Sequence, residues 1–182
     1  AGIVRGFVWG DQAGCWQHAA CLMDIQDLIL KAIDEPGWVH RLLGILLDKK
    51  LRFIDESLRG AKFDLIETGG GSASEPVISP AFHAEFCLPY DRTLHDALRE
   101  AGHLVTYHTC GGMMNILACI RENGADASET LAPPGVGGNI VDPAAVRAAF
   151  AGGPAMVGGM DQFNVLTYGS REDIRVEVQR LF

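Results

Sequence analysis

Short apolar runs of the length found in buried strands alternate with longer helical patterns along this 182-residue chain. The predicted strands are residues 3–9, 63–67, 104–108, 125–129 and 155–158. Such alternation predicts parallel strands joined by right-handed helical crossovers. Two architectures satisfy that pattern, a doubly wound sheet and a (β/α)8 barrel.

The residues that follow the strands favour the barrel. Four of the five predicted strands run directly into glycines or polar side chains, at residues 68–72, 109–112, 130 and 158–161. Function at the carboxyl ends of strands is expected in both folds, but polar residues after so many strands suit a barrel better. A typical barrel needs about 250 residues. We therefore expect residues 1–182 to form one partial TIM barrel of about five strand–helix units, a fragment that lacks the amino-terminal part and the last unit.

Several helix boundaries are also predicted. A break is expected near residues 35–37, where Pro and Gly follow Glu. Asp91 is predicted to cap one helix, and residues 113–123 are predicted to form another. Asp142 precedes a proline, the arrangement of a capping residue followed by the first helical position.

Composition excludes some partners. The chain has a formal net charge of −8, with 23 acidic against 15 basic side chains, so it offers no basic patch to nucleic acid or to an anionic membrane. No apolar run approaches the 18 or so residues of a membrane span. The cysteines are odd in number and lack the paired spacing of a disulfide framework, which indicates reduced thiols in a cytoplasmic protein. They are Cys15, Cys21, Cys87, Cys110 and Cys119.

His108 and Cys110 end the third predicted strand. In extended backbone, residues i and i+2 point to the same side, so the imidazole and the thiol are expected to face one pocket. Zinc binds both neutral imidazole and thiolate, and catalytic zinc sites keep one position open. As a bare pattern, however, H-x-C is more often a histidine packed beside a buried cysteine than a metal site.

Three acidic residues stand at neighbouring strand ends. Glu129 ends the fourth strand and can serve as a metal ligand, as a base or as a helix cap, and Glu67 at the end of the second strand raises the same question. Asp161 follows the fifth strand and either lines the pocket or caps the next segment. All three are candidate catalytic residues.

Seven segments together resemble the uroporphyrinogen decarboxylase superfamily, and most closely its branch of zinc-dependent methylcobamide:coenzyme M methyltransferases. They are residues 66–71 (IETGGG), 78–82 (ISPAF), 88–90 (LPY), 108–112 (HTCGG), 124–126 (GAD) with 131–134 (LAPP), and 158–161 (GGMD). Their order and spacing hold along the whole chain. The resemblance implies a TIM barrel with its pocket at the carboxyl face.

The same resemblance implies a chemistry. His108 and Cys110 map to zinc ligands, and Glu129 maps to a carboxylate that completes the metal shell until a thiol substrate displaces it. The methyl donor is expected to be a corrinoid on a partner protein that docks over the barrel mouth. The third protein ligand of the family is a cysteine that none of the other four cysteines matches, which leaves the zinc site incomplete within these residues.

Two alternatives remain open. One is a cofactor-free decarboxylase of a tetrapyrrole or another small acid, in which His108 and Cys110 only line the pocket. The other is a non-catalytic corrinoid-binding subunit. In either case a partial barrel has exposed strand edges, so we expect the chain to pair with another chain, including another copy of itself.

Overall fold

Five strands form one parallel sheet in the computed structural model, which describes residues 2–9, 13–75 and 77–181. The strands are β1 (Arg5–Phe7), β2 (Leu65–Gly69), β3 (Val105–His108), β4 (Ala127–Thr130) and β5 (Ala155–Gly158). Each boundary lies within two residues of its prediction from sequence. The prediction succeeds because buried parallel strands are short apolar runs bounded by turn residues.

The order of the strands decides between the two architectures. Neighbours in the sheet follow chain order, β1-β2-β3-β4-β5, and every pair is parallel. A doubly wound sheet reverses its strand order at a switch point, and no reversal occurs among the described strands. Right-handed crossovers between consecutive neighbours place all connecting helices on the same side. The chain therefore has the architecture of a partial (β/α)8 barrel.

Within the described residues, eight α-helices lie between and after the strands. They are α1 (Cys15–Leu22), α2 (Ile25–Asp34), α3 (Pro36–Phe53), α4 (Pro80–Phe82), α5 (Leu88–Glu100), α6 (Leu117–Glu122), α7 (Pro143–Ala149) and α8 (Arg171–Leu181). The predicted break falls at Glu35, which separates α2 from α3. No helix in the described part of the chain is both long and apolar enough to cross a lipid bilayer.

The remaining helical predictions have mixed outcomes. Asp142 caps α7 as predicted, since its side chain accepts a hydrogen bond from the backbone N–H of Ala144. The helix predicted over residues 113–123 is wrong in extent, because α6 begins only at Leu117. The capping role predicted for Asp91 is also wrong. The helix begins earlier, at Leu88, so Asp91 lies inside it and its buried carboxyl accepts a hydrogen bond from the Tyr107 hydroxyl.

The two faces of the sheet have different surroundings. Strand register aligns Thr68, Tyr107 and Ser128, and these buried side chains lie on the outer face, the face covered by the helices. The next residues along the strands point the other way, onto the inner face. There Phe7 is 42% exposed and Val157 is 46% exposed. The main apolar core therefore lies between the outer face and the helices, and the inner face is open.

Two groups of side chains form that core. The first joins the sheet to α5, α6 and α7, and it includes Ile66, Leu94, Leu98, Ile120 and Val146. The second joins α1, α2 and α3 to the segment that precedes α5, and it includes Trp16, Leu28, Leu43 and Phe86. Together they fix the strands and thereby the inner face on which the functional residues lie.

Candidate metal centre

Four neighbouring strands each place one charged or titratable side chain in a cluster on the inner face. Arg5 comes from β1, Glu67 from β2, His108 from β3 and Glu129 from β4. Register pairs His108 directly with Glu129. The Nδ1 atom of His108 lies 2.9 Å from Oε1 of Glu129 and 3.8 Å from Oε1 of Glu67. The structure therefore brings together three of the residues that were singled out from sequence.

Arg5 completes the cluster from the other side. Its Nη1 atom donates to Oε2 of Glu129 at 2.8 Å, and its Nη2 atom forms an ion pair with Oε2 of Glu67. Its guanidinium carbon also lies 5.3 Å from the centroid of the Phe7 ring. Arg5 was not among the residues predicted from the sequence. The available signal was a basic residue inside a strand otherwise read as buried, since arginine is rarely buried without a partner.

Cys110 lies beside the cluster. Its side chain is exposed, and its interaction with the His108 imidazole lowers the pKa of the thiol. Gly71 passes so close to this thiol that a Cβ atom built there would stand 2.5 Å from the sulfur. The glycine therefore leaves the space that the thiol occupies.

Pairing keeps the cluster charged. The hydrogen bonds with Cys110 and then with Glu129 outweigh desolvation and raise the pKa of His108 to about 10. The hydrogen bond with His108 lowers the pKa of Cys110. Burial alone would raise the pKa of Glu129, but the hydrogen bond with His108 and the charge of Arg5 hold it below its ordinary value. The raised pKa of His108 and the lowered pKa of Glu129 both favour the charged forms of this hydrogen-bonded pair.

The donor atoms suit a divalent metal. One atom each from Glu67, His108 and Glu129 can be chosen so that all three lie within 4.8 Å of one another. Imidazole nitrogen and carboxylate oxygen are ordinary zinc ligands, and the adjacent Cys110 offers the thiolate that zinc favours most. Among the described residues Cys110 stands outside this three-residue group, whereas Glu67, predicted as a catalytic residue, stands inside it.

Asp161 has a different position. Its carboxylate accepts hydrogen bonds from the backbone N–H groups of Phe163 and Asn164 and so caps the π-helical segment Gln162–Thr167. It does not belong to the three-residue metal-binding group found in the described part of the chain. Of the two roles open to it from sequence, the structure provides the cap, because two N–H donors lie within reach of this exposed carboxylate.

Glu75 connects the loops at the carboxyl ends of the strands through hydrogen bonds. It was also not among the residues predicted from the sequence. Its carboxylate accepts hydrogen bonds from the side-chain amides of Asn115 and Asn139, which belong to the loops after β3 and β4. Burial raises the pKa of Glu75, but these hydrogen bonds outweigh it and lower the pKa overall. Glu75 itself pairs through its backbone with Gly112. These contacts fix the loop that carries Cys110.

A cavity of about 450 Å³ opens onto the cluster. Its walls combine charged residues with the glycines that follow β2: Arg5, Phe7, Gln17, Glu67, Gly69, Gly70, Gly71 and His108. A volume of this size falls within the range of small-molecule sites. The cluster is therefore accessible to a small substrate.

Comparison with known proteins identifies the family. The model of the family described as uroporphyrinogen decarboxylase (URO-D) matches residues 7–182. The chain belongs to the uroporphyrinogen decarboxylase family. The resemblance inferred from the sequence motifs is thereby confirmed, and the partial TIM barrel agrees with it. No curated protein sequence matches the chain significantly.

A solved structure supports the same fold. A methyltransferase from Methanosarcina mazei superposes with a TM-score of 0.79 at 16% sequence identity, over 92% of this chain and 47% of that chain. The chain thus spans about half the length of that methyltransferase. At this identity the likeness establishes the fold of the chain, and its reaction is a separate question.

Proposed function

We propose that this chain is part of a zinc-dependent methyltransferase that moves a methyl group from a corrinoid to a small thiol. One observation carries the proposal: His108 and the carboxylates of Glu67 and Glu129 lie close enough together to hold a metal ion beside a polar cavity. The exposed thiol of Cys110, two residues after His108, interacts with the His108 ring. The fold that the chain shares with a methyltransferase supports the choice of reaction class.

Zinc would be held by His108 and Cys110, and Glu129 would occupy a third position until the substrate arrives. When bound, the metal supplies a positive charge that lowers the pKa of a thiol, so that the thiol is a thiolate at neutral pH. Arg5 gives Glu129 a second partner, because it binds the oxygen that faces away from His108. The carboxylate therefore stays paired after it yields its place.

The reaction we propose is a displacement at the methyl carbon. The corrinoid would supply the methyl group and would keep the electron pair of its carbon–cobalt bond as the sulfur–carbon bond forms, and the thiol proton would pass to solvent when the thiolate forms. Before the metal is bound, Glu129 orients the His108 ring through a 2.9 Å hydrogen bond between Oε1 and Nδ1. The cavity beside Arg5 and Gln17 would admit the thiol.

The proposed reaction also requires a partner protein and a reducing compartment. The corrinoid would be carried by a partner protein that docks over the open mouth of the cavity. Both the free thiols and the reduced thiol substrate suit the cytoplasm.

Zinc analysis of the chain purified without chelator tests the proposal directly. We expect about one zinc per chain, lost in Cys110→Ala and kept in Cys21→Ala, a control that removes another exposed thiol. Zinc-loaded protein should then accelerate methyl transfer from methylcobalamin to a small alkyl thiol. Full zinc content and full methylation in Cys110→Ala would show that the assignment is wrong.

One observation favours a second candidate, a cofactor-free decarboxylase. Arg5 is 39% exposed in the cavity, and a guanidinium there can bind a substrate carboxylate. Against this, Arg5 already engages two carboxylates of the protein. Decarboxylation that survives exhaustive chelation would support this candidate, whereas loss of all activity on chelation would exclude it.

A further inference from the structure

Arg5 divides the oxygen atoms of the metal centre into two sets. Oε2 of Glu67 and Oε2 of Glu129 both face the guanidinium, while Oε1 of each faces Nδ1 of His108. The planar fork of arginine fits this bridging position because its two terminal nitrogens can each serve one carboxylate. Arg5 therefore engages one of the two oxygen atoms of each carboxylate, and His108 engages the second oxygen of Glu129.

This division bears on which metal the cluster can hold. Mn²⁺ and other hard cations prefer about six oxygen ligands and use carboxylates heavily. Zinc needs four ligands and accepts nitrogen and sulfur readily. By pairing with Oε2 of both glutamates, Arg5 reduces the number of oxygen atoms that are available to a hard cation. It also places a positive charge beside the site. The nitrogen and sulfur donors come from His108 and Cys110, whereas the ion pairs of Arg5 are with the two glutamates.

We propose that Arg5 is a specificity-determining residue of the metal centre, which disfavours oxygen-preferring divalent cations and so leaves the site to zinc. The identity of the favoured metal rests on the proposed function. The exclusion of hard cations rests only on the bridging position of Arg5 between Glu67 and Glu129.

Metal binding to Arg5 variants tests this inference without any assay of methyl transfer. Arg5→Met removes the charge but keeps an unbranched side chain, and we would measure the dissociation constants of Zn²⁺ and Mn²⁺ by calorimetry. We expect Mn²⁺ to bind about tenfold more tightly than to the wild type, since a positive charge a few ångströms from the cation is gone. The Zn²⁺ constant should change less than threefold.

Two further variants identify the atoms involved. Adding Glu67→Gln to Arg5→Met should abolish the gain in Mn²⁺ affinity, because the freed carboxylate oxygens are then reduced in number and charge. Arg5→Lys keeps the charge without the fork, and we expect it to give a Mn²⁺ affinity between those of the wild type and Arg5→Met. This conservative variant also provides the comparison if Arg5→Met folds poorly.

The outcomes separate this inference from the proposed function. If the wild type binds zinc and no Arg5 variant gains affinity for Mn²⁺, the role of Arg5 is wrong and the methyltransferase proposal stands. If the wild type binds no zinc and Arg5→Met binds Mn²⁺, the zinc enzyme is wrong and the role of Arg5 in excluding hard cations stands. If neither protein binds either metal, both are wrong.

Discussion

Tyr107 and His108 are neighbours on β3, and their side chains lie on opposite faces of the sheet. On the outer face, Tyr107 meets His83 and Asp91 under the helices; burial lowers the pKa of His83 to about 4 and raises the pKa of Asp91 to about 7. On the inner face, hydrogen bonds with Cys110 and Glu129 raise the pKa of His108 to about 10. Burial favours the neutral forms on one face, and pairing favours the charged forms on the other.

Within a single strand, residues on the outer face therefore contribute mainly to stability, and residues on the inner face contribute mainly to the chemistry of the site. A titratable group on the outer face is kept neutral by desolvation, so its contribution is to packing and hydrogen bonding. A group on the inner face keeps its charge because opposite charges and solvent offset the desolvation. Alternate residues of β2, β3 and β4 should therefore respond to substitution in different ways.

Ile66 and Glu67 provide the sharpest test of that separation. Ile66 is fully buried on the outer face, and Ile66→Ala should lower the free energy of unfolding by about 2–5 kcal/mol through lost burial and a cavity. Glu67→Gln should cost less in stability and should weaken metal binding instead. Urea denaturation and zinc titration of both variants measure the two effects. A larger loss of stability in Glu67→Gln than in Ile66→Ala would contradict the division between the faces.

Asp91 gives the outer face a distinctive pH dependence. Its pKa is raised from 3.8 to about 7 in the folded protein, so the folded state holds more protons than the unfolded state between about pH 4 and 7. Its contribution to stability therefore decreases as the pH rises through that window. Asp91→Asn lacks this titration and keeps an oxygen that can accept from Tyr107.

We expect the stability of Asp91→Asn relative to the wild type to increase with pH, by about 1.4 kcal/mol per pH unit across that window. Lys50, Cys15 and Cys87 also act on Asp91 and are unchanged in the variant. Burial lowers the pKa values of His83 and His95 to about 4, and Asp91 is a cause of neither shift. Denaturation at several pH values measures the difference, and a difference that is constant with pH would show that Asp91 is ionised throughout.

The positions of the strands and of His108 and Glu129 could be predicted from sequence because they depend on local pattern. A short apolar run gives the strand, and the register of parallel neighbours brings their carboxyl ends together. Cys110 was harder to place. The rule that i and i+2 share a side holds only in extended backbone, and β3 ends at His108. The thiol therefore reaches His108 but stands outside the three-residue group.

Other parts of the site depend on contacts that no local pattern contains. Arg5 pairs with Glu129, which lies 124 residues further along the chain. Glu75 joins loops that follow three different strands. Asp91 was misread because a residue typical of helix caps occurs here inside a helix, where Tyr107 provides its hydrogen bond. The role of each of these residues is determined by a partner that is distant in sequence, so it can be recognised only in the folded structure.

Gly71 allows a test of whether the position of the Cys110 thiol on the inner face determines zinc affinity. Gly71→Ala would place a Cβ atom 2.5 Å from the Cys110 sulfur, and the thiol would have to move. We expect zinc affinity to fall about tenfold, equivalent to about 1.4 kcal/mol, with a smaller change in the free energy of unfolding. Calorimetric zinc titration measures the first quantity and urea denaturation the second. Unchanged zinc affinity would mean that the position of Cys110 does not matter to the metal.

Gly44 provides the matched control for Gly71, because it is a glycine in one of the helices that cover the outer face. It lies within α3, and a Cβ atom built there meets nothing within 4 Å. Gly44→Ala should therefore raise the free energy of unfolding by about 0.5–1 kcal/mol, because alanine loses less backbone entropy on forming a helix. Zinc affinity should stay unchanged, since α3 packs behind the sheet and contributes no donor atom to the centre. A shift in zinc affinity with this substitution would mean that the helical layer and the inner face are energetically coupled.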